Sequence, residues 1–244
     1  MIINCKTRFL KPYNFLFSLL LFFSLASLAQ ENTGLPVLPS SGDAPTAKKQ
    51  YYVLSPRMSV TVPHPMGNKS FKKSFVGIYE VSGGLNLFLY KGAFIGVTAK
   101  NGLLKITENK IADYNASMAI NNVGAKIGED WYIGEKNNAI FSLALNAGHN
   151  WSKYHDIKYK DPNVPPLYTS FETNYIEPEM NIFFPIELNF AIGATISYTI
   201  FDTHFDPYDL RLNEYDHFST NNAQATQFLS FGFGFYYSLF PKKK

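Results

Sequence analysis

Glu177 and Glu179 stand two residues apart. In an extended chain such residues project to the same face, so the two carboxylates could share one site. That is the arrangement that splits a pair into acid and base. Pro178 between them cannot donate to a sheet ladder and is a candidate bulge, and a bulge would turn one glutamate away. By the same strand parity Arg57, Lys100 and Lys126 share a polar face with Glu80, Glu177 and Glu179. That gives three charges of each sign, and buried charges must be paired or neutralised. The first reading is a salt-bridge network, with Glu177 as the preferred partner of Lys126 because both lie at a similar height in their strands. A narrow solute or ion pathway lined by these residues is the second reading. Acid/base catalysis by the glutamates is the third.

Other reactive side chains are scattered. His149, beside Trp151 and Ser152, is the one histidine read within a strand, and it reads as an interfacial aromatic neighbour rather than part of a Ser/His/acid group. His64, His155, His204 and His217 fall in segments read as loops. Segment 202–224 is acidic, with Asp202, Asp206, Asp209, Glu214 and Asp216 against Arg211, but its spacing matches no calcium or zinc template. Segment 63–74 carries Lys69, Lys72 and Lys73 and no acid. No P-loop, dinucleotide fingerprint or CxxC pair occurs. The sequence therefore predicts no cofactor, no metal site and no catalytic residues.

The elements that position these groups are strands. Period-2 alternation recurs from Tyr51 onward, most clearly over Phe190–Phe201. There Phe190, Ile192, Ala194, Ile196, Tyr198 and Ile200 oppose Ala191, Gly193, Thr195, Ser197 and Thr199. Over 75–90, Phe75, Tyr79, Val81, Leu85, Leu87 and Leu89 oppose Glu80, Ser82, Gly84 and Asn86. Eight segments follow the pattern, near 53–62, 75–90, 93–104, 116–133, 138–152, 169–184, 189–201 and 225–240. The links between them alternate long and short, from two residues (Lys91-Gly92) to the longest at 202–224. An all-β, eight-stranded up-and-down antiparallel transmembrane barrel has this plan, with tight periplasmic turns and longer extracellular loops. An even strand count puts both barrel ends on the periplasmic side.

A soluble eight-stranded barrel is the structural rival. It would show water a face rich in Lys, Glu and Arg, whereas the polar faces here are mostly Gly, Ser, Thr, Ala and Asn. Those suit a narrow lumen, and the aliphatic and aromatic faces suit lipid. Trp131 and Trp151 fall at opposite ends of adjacent strands, as an aromatic girdle requires, with Tyr132, Tyr154, Phe183 and Phe201 also near strand ends. Glu129 falls on the lipid-facing parity. It implies either a bulge between Lys126 and Trp131 or a place at headgroup level.

Residues 1–29 have the parts of a cleaved signal peptide: Lys6, Arg8 and Lys11 without an acid, an apolar run from Phe15 to Leu25, and Ser27-Leu28-Ala29. The chain has 22 basic and 19 acidic residues. Losing the three basic groups leaves 19 of each, so the net charge of +3 is no argument for nucleic acid, and none is expected as a partner. The single cysteine, Cys5, leaves with the peptide, so no disulfide is expected. Residues 30–50, rich in Pro, Ser and Gly, read as a flexible periplasmic leader. Residues 51–241 make the barrel, and 242–244 a basic tail.

Over about residues 51–240 the chain resembles the small eight-stranded outer-membrane β-barrel proteins of Gram-negative bacteria. Besides the strand count and loop alternation, the resemblance rests on the terminal strand Gly234-Phe235-Tyr236-Tyr237-Ser238-Leu239-Phe240. That strand is similar to the family's assembly signal, although Pro241-Lys242-Lys243-Lys244 follows where many members end on the aromatic. The resemblance implies location in the outer membrane, contact with its lipid and lipopolysaccharide, and insertion by the barrel-assembly machinery through the C-terminal strand. A protein partner at the extracellular loops is a further implied contact. Since the fold hosts many roles, the expectation is a non-enzymatic structural or loop-mediated interaction protein. A narrow channel or a lipid-modifying enzyme is the alternative.

Overall fold

Alternating chains that place small polar groups on one face and large apolar groups on the other bury the polar face only by curling around it. The computed structural model describes residues 51–90, 92–106, 114–134, 138–158, 170–187, 189–212 and 224–242. The expectations for 1–29, 30–50 and the last two tail residues lie outside the described residues. Eight strands follow in order: β1 (Tyr51–Gly67), β2 (Phe75–Tyr90), β3 (Ala93–Ile106), β4 (Asn115–Ile133), β5 (Ala139–Lys158), β6 (Ser170–Glu187), β7 (Phe190–Phe201) and β8 (Thr226–Tyr237). Each pairs antiparallel with the next, and β8 pairs with β1. The ring is closed, which removes the unpaired edges that lipid would not tolerate.

Several boundaries differ from the sequence reading. β1 runs to Gly67 through Pro63 and Pro65, five residues beyond the expected end near 62. Its pairing with β2 stops at Thr61 while its pairing with β8 continues to Gly67. The prolines thus sit where β1 has a ladder partner on one side only, and a missing N–H costs little there. What reads as a loop at 63–74 is strand plus a short helix, α1 (Lys69–Ser74), capped by Asn68. β5 likewise extends to Lys158, so His64 and His155 lie in strands and not in loops. β8 stops at Tyr237. After Ser238 a short β9 (Leu239–Lys242) pairs only with β1, so Lys242 belongs to a strand and not to a tail.

Parity holds along most strands. Ile196 is 40% exposed while Thr195 and Ser197 are buried. The exception is the start of β2, where a register shift between Gly77 and Tyr79 reverses the alternation and sends Phe75 inward, 1% exposed, instead of toward lipid. No such shift occurs at Pro178 or between Lys126 and Trp131. Glu129 therefore faces outward, four residues from the periplasmic end of β4, and both suspected bulges are absent.

Inward glycines hollow the wall at β4 and β5. Gly124 and Gly148 are register partners, and a Cβ on Gly148 would stand 2.1 Å from the Val123 carbonyl oxygen. A Cβ on Gly124 would meet the Tyr175 hydroxyl at 2.6 Å. Only glycine lets the two strands approach this closely with Tyr175 folded against them.

Candidate functional site

The polar residues on the inner face form three tiers. In the outer tier Lys100 on β3 donates to Glu177 on β6 (2.7 Å) and to Glu80 on β2 (3.2 Å). Thr61 donates to Glu80, and Thr199 and Asn146 donate to Glu177. In the middle tier Lys126 on β4 reaches both oxygens of Glu179, at 2.9 and 2.8 Å, and Asn146 and Asn181 donate to the same carboxylate. In the inner tier the Arg57 guanidinium on β1 pairs with Asp130 on β4 and donates to Ser142 on β5. It also lies over the rings of Phe94, Tyr236 and Phe183, at 4.7, 4.8 and 5.8 Å. All seven charged groups are 9% exposed or less.

Both glutamates flanking Pro178 thus face inward, but they take different cations. Lys126 pairs with Glu179, and Glu177 belongs to Lys100, which corrects the pairing expected from strand height. β6 runs to Glu187 rather than 184, and the longer strand lifts Glu177 above Lys126. Sequence reasoning also missed Asp130. Its parity is that of Lys126, four residues earlier, and counting along β4 would have found it. Among the described residues the three tiers therefore hold four acids against three bases, not three of each.

Apolar clusters bound these tiers at both ends. On the extracellular side Phe71, Phe75, Tyr114, Phe201, Phe205, Leu210 and Phe228, among others, form one buried core. Asn68 locks its lid, donating to the carbonyls of Phe205 (3.0 Å) and Gln224 (3.2 Å) while accepting from the Phe71 N–H. On the periplasmic side Ile140, Phe183, Ala191 and Tyr236 pack together, with Phe88 and Tyr132 against them. The void among Arg57, Ser59, Ser82, Thr98, Lys126 and Asn181 measures about 10 Å³, room for at most about one water.

Four of the six aromatics expected in a lipid-facing girdle belong to this interior. Tyr132, Tyr154, Phe183 and Phe201 stand on the inward parity of their strands, and the last three are nearly inaccessible. Trp131 faces outward against Phe141, and Trp151 is 43% exposed beside His149. His149 also faces outward, toward Asn174 and Glu172, while Ser152 is buried and bonded to Asn150. The two cannot act on one substrate.

In the acidic segment, Asp206 caps the 3-10 turn Pro207–Leu210 by accepting from the Tyr208 N–H. Partial burial, with Asp206 nearby, raises the pKa of Asp209. Glu214, Asp216 and His217 lie outside the described residues. Among the described residues no group of three or more His, Cys, Asp or Glu is placed to hold a metal.

The outer surface defines the class. Met58, Val60, Val81, Leu85, Val97, Ile127, Met180, Ile196, Phe231 and Phe233 are all exposed on the outward parity, a belt of large apolar side chains on every side of a closed antiparallel ring. Such a surface is stable only in hydrocarbon. The protein is an eight-stranded transmembrane β-barrel of the outer-membrane type, resident in the outer membrane. No family model and no curated protein matches the sequence. Among solved structures it is similar to Ail, the attachment invasion locus protein of Yersinia pestis, in complex with the heparin analogue sucrose octasulfate. The identity is 12%, the match covers 77% of this chain and 100% of that one, and the TM-score is 0.43. It is also similar to Neisserial surface protein A (10%, 77% and 96%, TM-score 0.44) and to the outer membrane protein OprG of Pseudomonas aeruginosa (7%, 78% and 98%, TM-score 0.41).

Proposed function

We propose that this barrel is a sealed, non-enzymatic scaffold whose role is carried by its extracellular surface. One observation supports the reading above others. Among the described residues the interior is occupied from the apolar lid, through three tiers of paired charge, to the apolar floor. An ion crossing it would have to break pairs that solvent cannot replace. Outer-membrane lipid and lipopolysaccharide surround the belt, the barrel-assembly machinery takes the C-terminal strand, and a protein partner meets the loops. Planar-bilayer recording of the refolded protein tests the reading. The expected trace is flat at physiological salt. Steady unitary conductance that responds to Lys100 or Lys126 substitution would overturn it in favour of a pore.

A further inference from the structure

We propose that the outward face of β3–β5 at the extracellular lipid boundary binds the phosphorylated headgroup of an outer-leaflet lipid, through Lys105, Lys153 and His155. This rests on the membrane position of the barrel argued above and is independent of whether the lumen is sealed.

The strand register fixes the level of the boundary. On β4 the outward residues Val123, Ala125 and Ile127 lie between Asn121 and Glu129. Those eight steps, at about 3.3 Å each and tilted by about 40°, rise about 20 Å along the membrane normal. An apolar band of about 25 Å therefore ends near Ala119, one outward residue above Asn121. At that level a chain of polar contacts crosses four strands. Tyr79 donates to Asn101 (3.4 Å), Asn101 to Asn121 (2.8 Å), and Asn121 to the Trp151 carbonyl (3.4 Å).

The three proposed ligands begin there. Ala119 is the register partner of Lys153, and one row higher Ser117 pairs with both Lys105 and His155. Two lysines and an imidazole thus flank β4 on either side at headgroup height, with only the small side chains of Ser117 and Ala119 between them. β3 and β5 are about 10 Å apart at this spacing, and long lysine stems span that gap.

Charge at this height is asymmetric. Lys105 and Lys153 have no ion pair among the described residues. The outward acids nearby are Asp156, which follows His155 at a left-handed φ of 53°, and Glu172, one row lower and 3.5 Å from His149. The opposite sector of the barrel offers Asn174, Tyr198 and Gln227 near the same level, with the outward His64 on β1 and no outward lysine or arginine on β6, β7, β8 or β1. A phosphate monoester on a sugar headgroup fits the β3–β5 sector. Its charge would meet the two ammonium groups, and its hydroxyls the amide row below. Acyl chains lying on the belt would hold the headgroup there at high effective concentration, an advantage a free anion lacks.

The test uses the full mature chain refolded into phosphatidylcholine nanodiscs containing bisphosphorylated lipid A, with retained lipid A per barrel counted by native mass spectrometry. Lys105→Gln/Lys153→Gln/His155→Gln should lower retention about tenfold. Lys69→Gln/Lys72→Gln/Lys73→Gln on α1 should leave it near wild type. Unchanged heat-modifiability of both variants shows that the barrel itself is intact. Equal retention by wild type and the β3–β5 variant overturns the proposal. Equal retention of dephosphorylated lipid A overturns it too, because the acyl chains alone would then suffice. Displacement of lipid A by millimolar inorganic phosphate would make the site one for a soluble anion, and would overturn the lipid assignment. None of these outcomes depends on conductance, so the sealed-barrel reading stands or falls separately.

Discussion

Replacing Lys126 by methionine keeps an unbranched apolar stem, one atom shorter, and removes the charge. In the folded protein Lys126 is 6% exposed and donates to both oxygens of Glu179. After substitution Glu179 retains only the amides of Asn146 and Asn181, neither of which carries charge. The interior already holds Arg57, Lys100 and Lys126 against Glu80, Asp130, Glu177 and Glu179. The change thus takes it from one excess negative charge to two, with no solvent to relieve it. Breaking a buried pair this way costs about 3–5 kcal/mol, and the excess charge argues for the upper half of that range. The assay is urea unfolding in lipid vesicles followed by the fluorescence of Trp131 and Trp151. A second substitution, Glu179→Gln, should restore most of the loss, because the stranded carboxylate is gone. Glu177→Gln should restore little and add a loss of its own, since Glu177 is held by Lys100. A single variant within about 0.5 kcal/mol of wild type would refute the argument. Rescue by Glu177→Gln as complete as by Glu179→Gln would refute the pairing.

Other outcomes are expected on the same grounds. Ile196→Lys, outward near the middle of β7, should cost about 2–4 kcal/mol in bilayers, while labelling of a cysteine at 195 by a lipid-soluble reagent should fail. Asn68→Ala removes three hydrogen bonds that hold the lid, and should cost about 1–3 kcal/mol and speed proteolysis within 202–212 without dissolving the barrel. Because its pKa is raised, Asp209 binds a proton more readily folded than unfolded above its ordinary value near 3.8. The local stability of the Pro207–Leu210 turn should therefore fall as pH rises through that window. Nuclear magnetic resonance of the turn amides should follow this, and Asp209→Asn should abolish the dependence.

The barrel was legible because period 2 is a direct image of a two-sided wall. The alternation from Phe190 to Phe201 sorts each side chain correctly. Strand ends are less legible. The alternation suggests an end to β1 at 62, yet the strand continues through Pro63 and Pro65 on its ladder with β8 alone, a matter of neighbours that composition does not encode. Phe75 departs from its alternation because the shift at Gly77 is a property of pairing. Position along the strand suggests a girdle for Tyr132, Tyr154, Phe183 and Phe201, whereas parity places them inside. For the interior charges, parity gave the membership of Lys100, Lys126, Glu177 and Glu179. The partners depended on where β6 ends, and three residues of error there exchanged one glutamate for the other.

The Arg57 tier has a consequence for how the molecule assembles. Arg57 lies on the first strand, and its guanidinium meets groups on β3, β4, β5, β6 and β8. Its bonds to Asp130 and Ser142 span 73 and 85 residues of sequence, and Tyr236 is its register partner across the seam where the ring closes. The bonds to Asp130 and Ser142 need the sheet curled until β1 faces β4 and β5 across the lumen, and the contact with Tyr236 needs the first and last strands side by side. Loop closure must come first and its reward last. A flat or weakly curved sheet leaves the guanidinium unpaired, and the full set of contacts is reached only in the completed ring. The clasp thus favours curling first and closure last.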